Sequence, residues 1–352
     1  MERSPLQNGG TGMHAQGTLR GQEVSGSAIH ADSNTHDEHV EIAHGHGFEH
    51  RNEQRQIVIG SRPQSQNLTV AVLGQFGAQL PAVYGMRPVR WGHGQAGLLL
   101  KRLVAAPQYT ASRDEIVDNL WPEHDAVQGY EALRHALTHL RRALDPSRSA
   151  YSGSTYLVCD RDAIALQTRN DGTASIWIDR KQFELLATEA MSQTFDTQHE
   201  GSRQRTQSTG GAALALYHGD FLPTDLHRDW TQPVRRQCRR LWTALLRHLA
   251  ILAVQDWRLD LAMLLLGQLV DAVPDDDENA CLLMVIQAMA GHRGDAIRTY
   301  RNLETHLAVE CELRPSAPAL AICRAILNSE PLDEWIDNVR RSGHVSYRLT
   351  TR

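Results

Sequence analysis

The sequence predicts an α+β winged helix-turn-helix domain followed by an all-α, tetratricopeptide-like helical-repeat domain. Three observations predict it. Between residues 68 and 170, short β-rich runs precede three amphipathic stretches, and a second pair of β-rich runs follows them. The third amphipathic stretch, "EALRHALTHLRRALDP" (131–146), carries almost no acid on its outer face. From residue 211 onward the pattern is almost entirely helical, with a 34-residue offset between two similar stretches.

Residues 1–67 are rich in Gly, Ser, Gln, Asn and His and show no sustained period, so they read as a disordered His-rich tail that buries too little apolar surface to offset its ordering entropy. His14, His30, His36, His39, His44, His46 and His50 lie there at irregular spacing, without cysteine, and predict no metal site. Order begins at "LTVAVLGQFGAQL" (68–80), where Val70, Val72 and Leu73 support a strand, and "RPVRW" (87–91) reads as a second. "QAGLLLKRLVAA" (95–106) predicts a buried helix stopped by Pro107. In "SRDEIVDNLWP", Ser112 and Glu115 have capping-box spacing, so a second helix starts there and ends before Pro122. A polar loop over 123–129 leads to the third helix. After Pro146, "TYLVC" and "AIALQ", joined by "DRD", predict a hairpin. Two helices with a short connection and a following hairpin define the winged arrangement over 68–170. A junction strand and helix occupy 171–191, a polar linker 192–210, the helical domain 211–330 and a tail 331–352 that holds one short helix around Trp335.

The third helix decides the functional reading. At 100° per residue, Tyr130, Leu133, Leu137, Leu140 and Leu144 form one apolar stripe. Gln128, His135, Thr138, His139 and Arg142 lie opposite, and Arg134 and Arg141 border the stripe. Cations and hydroxyls on the outer face of such a helix suit the major groove of DNA. Arg142 fits a bidentate contact to guanine, worth about 1–3 kcal/mol of discrimination. Arg134 and Arg141 are better placed for phosphates, and Arg161 is the single cation at the hairpin tip. Glu131 stands apart, because its carboxylate would repel phosphate, though it could instead accept a hydrogen bond from cytosine N4. Histidines against phosphate would tighten binding as pH falls toward about 6.5, whereas neutral imidazoles bonded to bases would leave it flat.

Composition sets limits on these readings. Net charge is −5 over 352 residues, so nucleic-acid contact would have to be a local patch. Residues 68–167 hold 10 Lys+Arg against 9 Asp+Glu, which keeps open a protein-interaction scaffold whose winged helix no longer binds DNA. Five scattered cysteines fit reduced thiols, no signal peptide is visible, and "LAMLLLGQLVDAV" (261–273) is too short and too polar to cross a bilayer, so a cytoplasmic protein with no membrane partner is expected. Phosphate-binding loops, nucleophile elbows and zinc-protease motifs are all lacking from the sequence, which predicts no enzyme and no cofactor. The run "TQPVRRQCRRLWTALLRH" (231–248) places Arg235, Arg236, Arg239, Arg240 and Arg247 without an acid, as a solvated face or a second contact surface.

The order of these motifs resembles the antibiotic-regulatory-protein (SARP) type of transcriptional regulators. "LWP" at 120–122 and the Leu133–Leu144 core are similar to the family's DNA-binding domain. "WIDRKQFELL", with Asp179 and Phe183, looks like its strand-to-helix junction. "ALALYHGDFLP" (213–223) and "HRGDAIRTYRNLETHLAVECELRPSAPAL" are similar to the ends of its bacterial transcriptional activator domain. The resemblance spans about 68–327. It implies an OmpR-like winged helix, the output type of phosphorelay regulators, joined to tetratricopeptide-type helices. It further implies binding of double-stranded promoter DNA, recruitment of RNA polymerase through the 123–129 loop, and repeated sites bound as a homodimer. The family's wing carries a Gly-Tyr pair, and this hairpin has no glycine in "TYLV".

Overall fold

The computed structural model describes residues 68–82, 85–91, 94–146, 155–167, 176–192 and 200–342. The histidines of the N-terminal tail lie outside these residues. The chain opens with β1 (Leu68–Ala71), β2 (Gly77–Ala82) and β3 (Gly85–Pro88), antiparallel neighbours in that order. A later strand, β7 (Ile176–Ile178), adds parallel to β1 and gives the sheet order β3-β2-β1-β7. The strand expected over 87–91 thus sits earlier, at Gly85–Pro88. Pro88 cannot donate to a ladder and falls at the last position of an edge strand.

Three helices follow: α1 (Gly94–Ala105), α2 (Arg113–Leu120) and α3 (Ala126–Leu144). Leu99, Leu100, Leu103, Ile116, Leu133 and Leu140 are fully buried between them. Ser112 accepts the Glu115 N–H at 3.1 Å, as the cap spacing predicts. The Glu115 carboxylate, however, turns away to Arg102, 2.5 Å from its Nη2, so only half of the expected capping box forms. The third helix starts earlier than expected. Asp125 accepts the Gln128 N–H at 2.8 Å and caps a helix that begins at Ala126, so 126–129 is its first turn rather than loop.

The hairpin forms where the sequence places it, as β5 (Leu157–Cys159) and β6 (Ala163–Leu166). A short β4 (Thr110–Ser112) joins it, paired antiparallel to β6, which completes a sheet of order β4-β6-β5. Three residues are too few to show a period of two, and β4 is fixed by its partner rather than by its own pattern.

The helical region contains α4 (Asp179–Ser192), α5 (Glu200–Leu214), α6 (Gln232–Gln255), α7 (Leu259–Ala272), α8 (Asp277–Met289), α9 (Arg293–Glu310), α10 (Ala317–Asn328) and α11 (Asp333–Ser342). The polar linker expected over 192–210 is in large part α5. Thr206, Gly210 and Ala213 make a buried stripe of small residues at helical spacing. A Cβ at Gly210 would come 2.7 Å from the Leu249 side chain of α6. Small residues let this helix pack by close approach, and hydropathy does not register that. α7 and α9 begin 34 residues apart, and Ala262 and Ala296 are both 0% exposed at their helix contacts, as the sequence offset predicts. The short helix expected near Trp335 is α11, whose Ile336 and Val339 are buried, so residues 333–342 of the expected tail belong to the fold.

The two regions share one continuous core that runs from β1 to α8 and takes in Val339 of α11. The segment before α6 lies along the end of β1: Gly74 N donates to Asp220 O (3.0 Å) and Leu222 N to Val72 O (2.9 Å), with a bridge between Leu73 and Phe221. Gly74 has φ +84°, and a Cβ there would lie 2.6 Å from the His218 carbonyl oxygen, so glycine is required. Lys101 of α1 reaches Asp225 at 2.7 Å. Burial disfavours the Asp225 carboxylate, but bonds from Lys101 and Thr224 and the charges of Lys101 and Arg228 outweigh it and hold the carboxyl below its ordinary value. A depressed carboxyl stabilises the folded state above its ordinary pKa of 3.8, and that stabilisation is lost as pH falls through the folded value. Asp225→Asn is therefore expected to lower stability at pH 6, with the gap to the parent narrowing at pH 3, measured by urea titration at both pH values.

Candidate nucleic-acid interface

The α3 surface is set by which residues the fold removes from it. Gly129, Leu133, Ala136, Leu137, Leu140 and Leu144 are buried, and Tyr130 is not. Tyr130 is 43% exposed, and its hydroxyl donates to Asp114 of α2. The apolar stripe is thereby rotated by roughly 30° from the one that includes Tyr130. Gly129 explains the rotation. A Cβ there would lie 2.4 Å from Val117 Cγ1, so α2 crosses α3 over this glycine and the larger Tyr130 is turned outward.

The rotation redistributes the expected contact residues. Glu131 and Thr138 now stand near the centre of the exposed face. Arg134 and Arg141 flank them on the α2 side, and His135 and Arg142 on the other. His139, expected to face outward, is half-buried at the margin and already engaged within the fold. Thr138 Oγ1 donates to the Arg134 carbonyl at 2.8 Å, so its hydroxyl proton is committed. The guanidinium groups of Arg134, Arg141 and Arg142 are exposed and make no hydrogen bond or ion pair among the described residues. Arg148, four residues past the end of α3, lies outside the described residues.

A groove of about 680 Å³ runs along this face, lined by Arg113, Val127, Tyr130, Glu131, Arg134 and Arg141 among others. Arg113 has no signal in the sequence beyond its position as the first residue of α2. It joins three elements. Its N–H donates to the Asp162 carbonyl (2.9 Å), its Nη2 to the Asp160 carbonyl (2.9 Å), and its side chain lines the groove beside α3. The hairpin turn is fixed from within by Asp160, whose Oδ1 accepts N–H bonds from Asp162 (2.9 Å) and Ala163 (2.6 Å). Those bonds hold the Asp160 carboxyl below its ordinary value. Arg161 sits at the exposed tip of this turn, next in sequence to Asp160, whose carbonyl Arg113 holds. The structure thus joins Arg113, Arg134 and Arg141 in one groove, tied to the hairpin that carries Arg161, with Arg142 and His135 on the adjoining flank.

The basic run at 231–248 is mostly structural. Arg235 is buried and donates to the carbonyls of Phe221 (3.1 Å) and Leu222 (3.2 Å). Arg239 donates to the Ala272 carbonyl at the end of α7, and Arg247 pairs with Glu278 at 2.5 Å. Arg236 and Arg240 alone of the five point outward without such partners among the described residues.

Because Val117 is β-branched and stiff, Gly129→Ala would overpack the α2–α3 crossing at a cost of about 1–3 kcal/mol. The gain in helix propensity recovers about 1 kcal/mol. The net cost of up to about 2 kcal/mol is expected to lower the melting temperature by up to about 3 °C while the far-ultraviolet helical signal is kept.

Comparison with known proteins agrees with the helical architecture. Residues 178–327 match the family model of the bacterial transcriptional activator domain. No curated protein matches the chain. Among solved structures, Mycobacterium tuberculosis EmbR, in complex with a low-affinity phosphopeptide, shares the fold with a TM-score of 0.59. That likeness has 18% sequence identity and covers 78% of this chain and 69% of that one. The helical half is thus a domain of the kind found in bacterial transcriptional activators. Among the described residues no helix is long and apolar enough to cross a membrane, and no group of His, Cys, Asp and Glu could hold a metal ion.

Proposed function

We propose that this chain is a SARP-type, sequence-specific transcriptional activator. Residues 68–170 act as its winged helix-turn-helix, and α3 enters the major groove of promoter DNA. The observation that carries the reading is the outward array of α3 arginines, without hydrogen-bond or ion-pair partners among the described residues, beside a hairpin, in a chain whose 178–327 match an activator domain. The likeness to EmbR supports it, because 78% of the chain is more than the helical match alone. In this reading Arg134 and Arg141, joined by Arg113, grip phosphates on the α2 side of the groove. Arg142 and His135 reach base edges, and Arg161 approaches the adjacent backbone from the hairpin. The protein works by binding rather than catalysis, in the cytoplasm, and recruits RNA polymerase from a surface near the α2–α3 connection. With α3 beginning at Ala126, that surface is confined to Trp121–Asp125. Two copies bind adjacent repeats.

The test is selection from random duplex DNA by the full chain, run beside Arg134→Ala/Arg142→Ala. Enrichment of a repeated motif by the parent alone supports the reading. No enrichment, with retention that ignores salt, refutes it and assigns the α3 face to a protein partner.

A further inference from the structure

Glu131 is the one acid on the exposed face of α3, and the fold leaves it uncompensated. It has Arg134 three residues on and His135 four residues on, the two spacings that pair charges on a helix. Its carboxylate nevertheless makes no hydrogen bond or ion pair among the described residues. It lines the groove and lies near the centre of the exposed face, between the phosphate-gripping flank of Arg134 and Arg141 and the flank of His135 and Arg142. A carboxylate brought to that position meets base edges rather than phosphates. Of the groups a major groove presents, guanine offers two acceptors and thymine an acceptor and a methyl group, so both reject it. Adenine N6 is a donor, but the neighbouring N7 is an acceptor that repels the second oxygen. Cytosine N4 is the donor that a carboxylate can accept from without such conflict.

Val127 makes a second, independent point. It is 72% exposed, the largest exposure among the large apolar side chains of the described residues, and it lines the same groove one helical turn before Glu131. No described residue covers it. In the major groove, the apolar feature that would cover it is the thymine methyl group. Four residues of helix advance about 6 Å, so the two side chains address base pairs one or two steps apart.

Resting on the DNA-binding reading above, we infer that Glu131 and Val127 set the specificity of this protein. The operator half-site holds a C·G pair read by the Glu131 carboxylate and, one or two steps away, a T·A pair read by Val127. Arg134, on the flank, holds the carboxylate's side of the groove against the backbone and supplies no base discrimination of its own.

The experiment is selection from random duplexes by the full chain and by Glu131→Gln, Glu131→Ala and Val127→Ala, with circular dichroism to confirm that each is folded. The parent is expected to prefer cytosine at one position on the order of tenfold or more. Glu131→Gln should switch that position to adenine, because an amide both donates and accepts. Glu131→Ala should lose the preference there and nowhere else. Replacing the nearby thymine by uracil, which lacks the methyl group, should weaken the parent and leave Val127→Ala unaffected. If the parent enriches a motif and the Glu131 variants enrich the same one, the assignment is overturned while DNA binding stands. If the parent enriches none, both fall.

Discussion

Arg134→Ala/Arg141→Ala is expected to weaken binding to every duplex, cognate or not, by on the order of 100-fold at about 0.1 M salt. Each charge-assisted bond to phosphate contributes about 1.5–3 kcal/mol, and the two guanidinium groups have no alternative partner in the fold among the described residues. The loss is therefore of binding, with little change in stability. Each phosphate contact also steepens the dependence of log K on log salt by about 0.9, so the double variant should flatten that slope by nearly two units. Fluorescence anisotropy on a selected site and on a scrambled duplex, from about 0.05 to 0.2 M salt, measures both quantities. Arg142→Ala supplies the contrast, because its place on the opposite flank predicts a loss confined to one base position. Equal, sequence-dependent losses from all three substitutions would contradict the division of α3 into a gripping side and a reading side.

That division depends on a rotation of α3 that its sequence does not display. The pattern over 130–144 is satisfied by a stripe with Tyr130 or by one with Gly129 and Ala136. Hydrophobicity favours the tyrosine, and the structure takes the glycine. The reason is tertiary. Val117 of α2 needs the space above Gly129, and Tyr130 has a partner for its hydroxyl in Asp114. The exposed arginines were legible because charge on a long amphipathic helix has nowhere to go but outward. Arg113 was not legible, because its role comes from carbonyls of a hairpin 47 residues away. The same asymmetry holds for the fold. The hairpin, α1, α2 and the 34-residue spacing are written in local pattern. α5 packs through Thr206, Gly210 and Ala213, a stripe that reads as a linker because it is small and polar. The basic run in α6 misleads in the opposite direction: three of its five arginines are internal ties whose acceptors are backbone carbonyls and a distant acid.

Among stability changes, the largest effect is expected at Asp179. This residue follows β7 directly, starts α4 and is buried. Its Oδ2 accepts the N–H groups of Val72 (2.8 Å) and Leu73 (3.0 Å), just past the end of β1, and its Oδ1 accepts the Arg180 N–H (2.7 Å). One side chain thus joins the sheet to the helical region at the point where the segment carrying Phe221 and Leu222 also meets β1. Burial pushes the Asp179 carboxyl above its ordinary value, although the three N–H bonds and the nearby His218 work in the other direction. A raised carboxyl stabilises the fold fully below its ordinary pKa, and that contribution is lost as pH rises through the folded value. Asp179→Ala strands three N–H groups at a cost of about 1–3 kcal/mol each. At the low end the variant should lose about 3 kcal/mol, which lowers the melting temperature by about 4 °C in a chain of this size. Asp179→Asn keeps an oxygen for the N–H donors and removes the buried charge, so it should recover much of the loss at neutral pH. Thermal melts of the two variants at pH 7 separate the causes. An equal loss in both would mean that the negative charge itself holds the junction, and no loss in Asp179→Ala would mean that the backbone ladder between Val72 and Leu222 suffices without it.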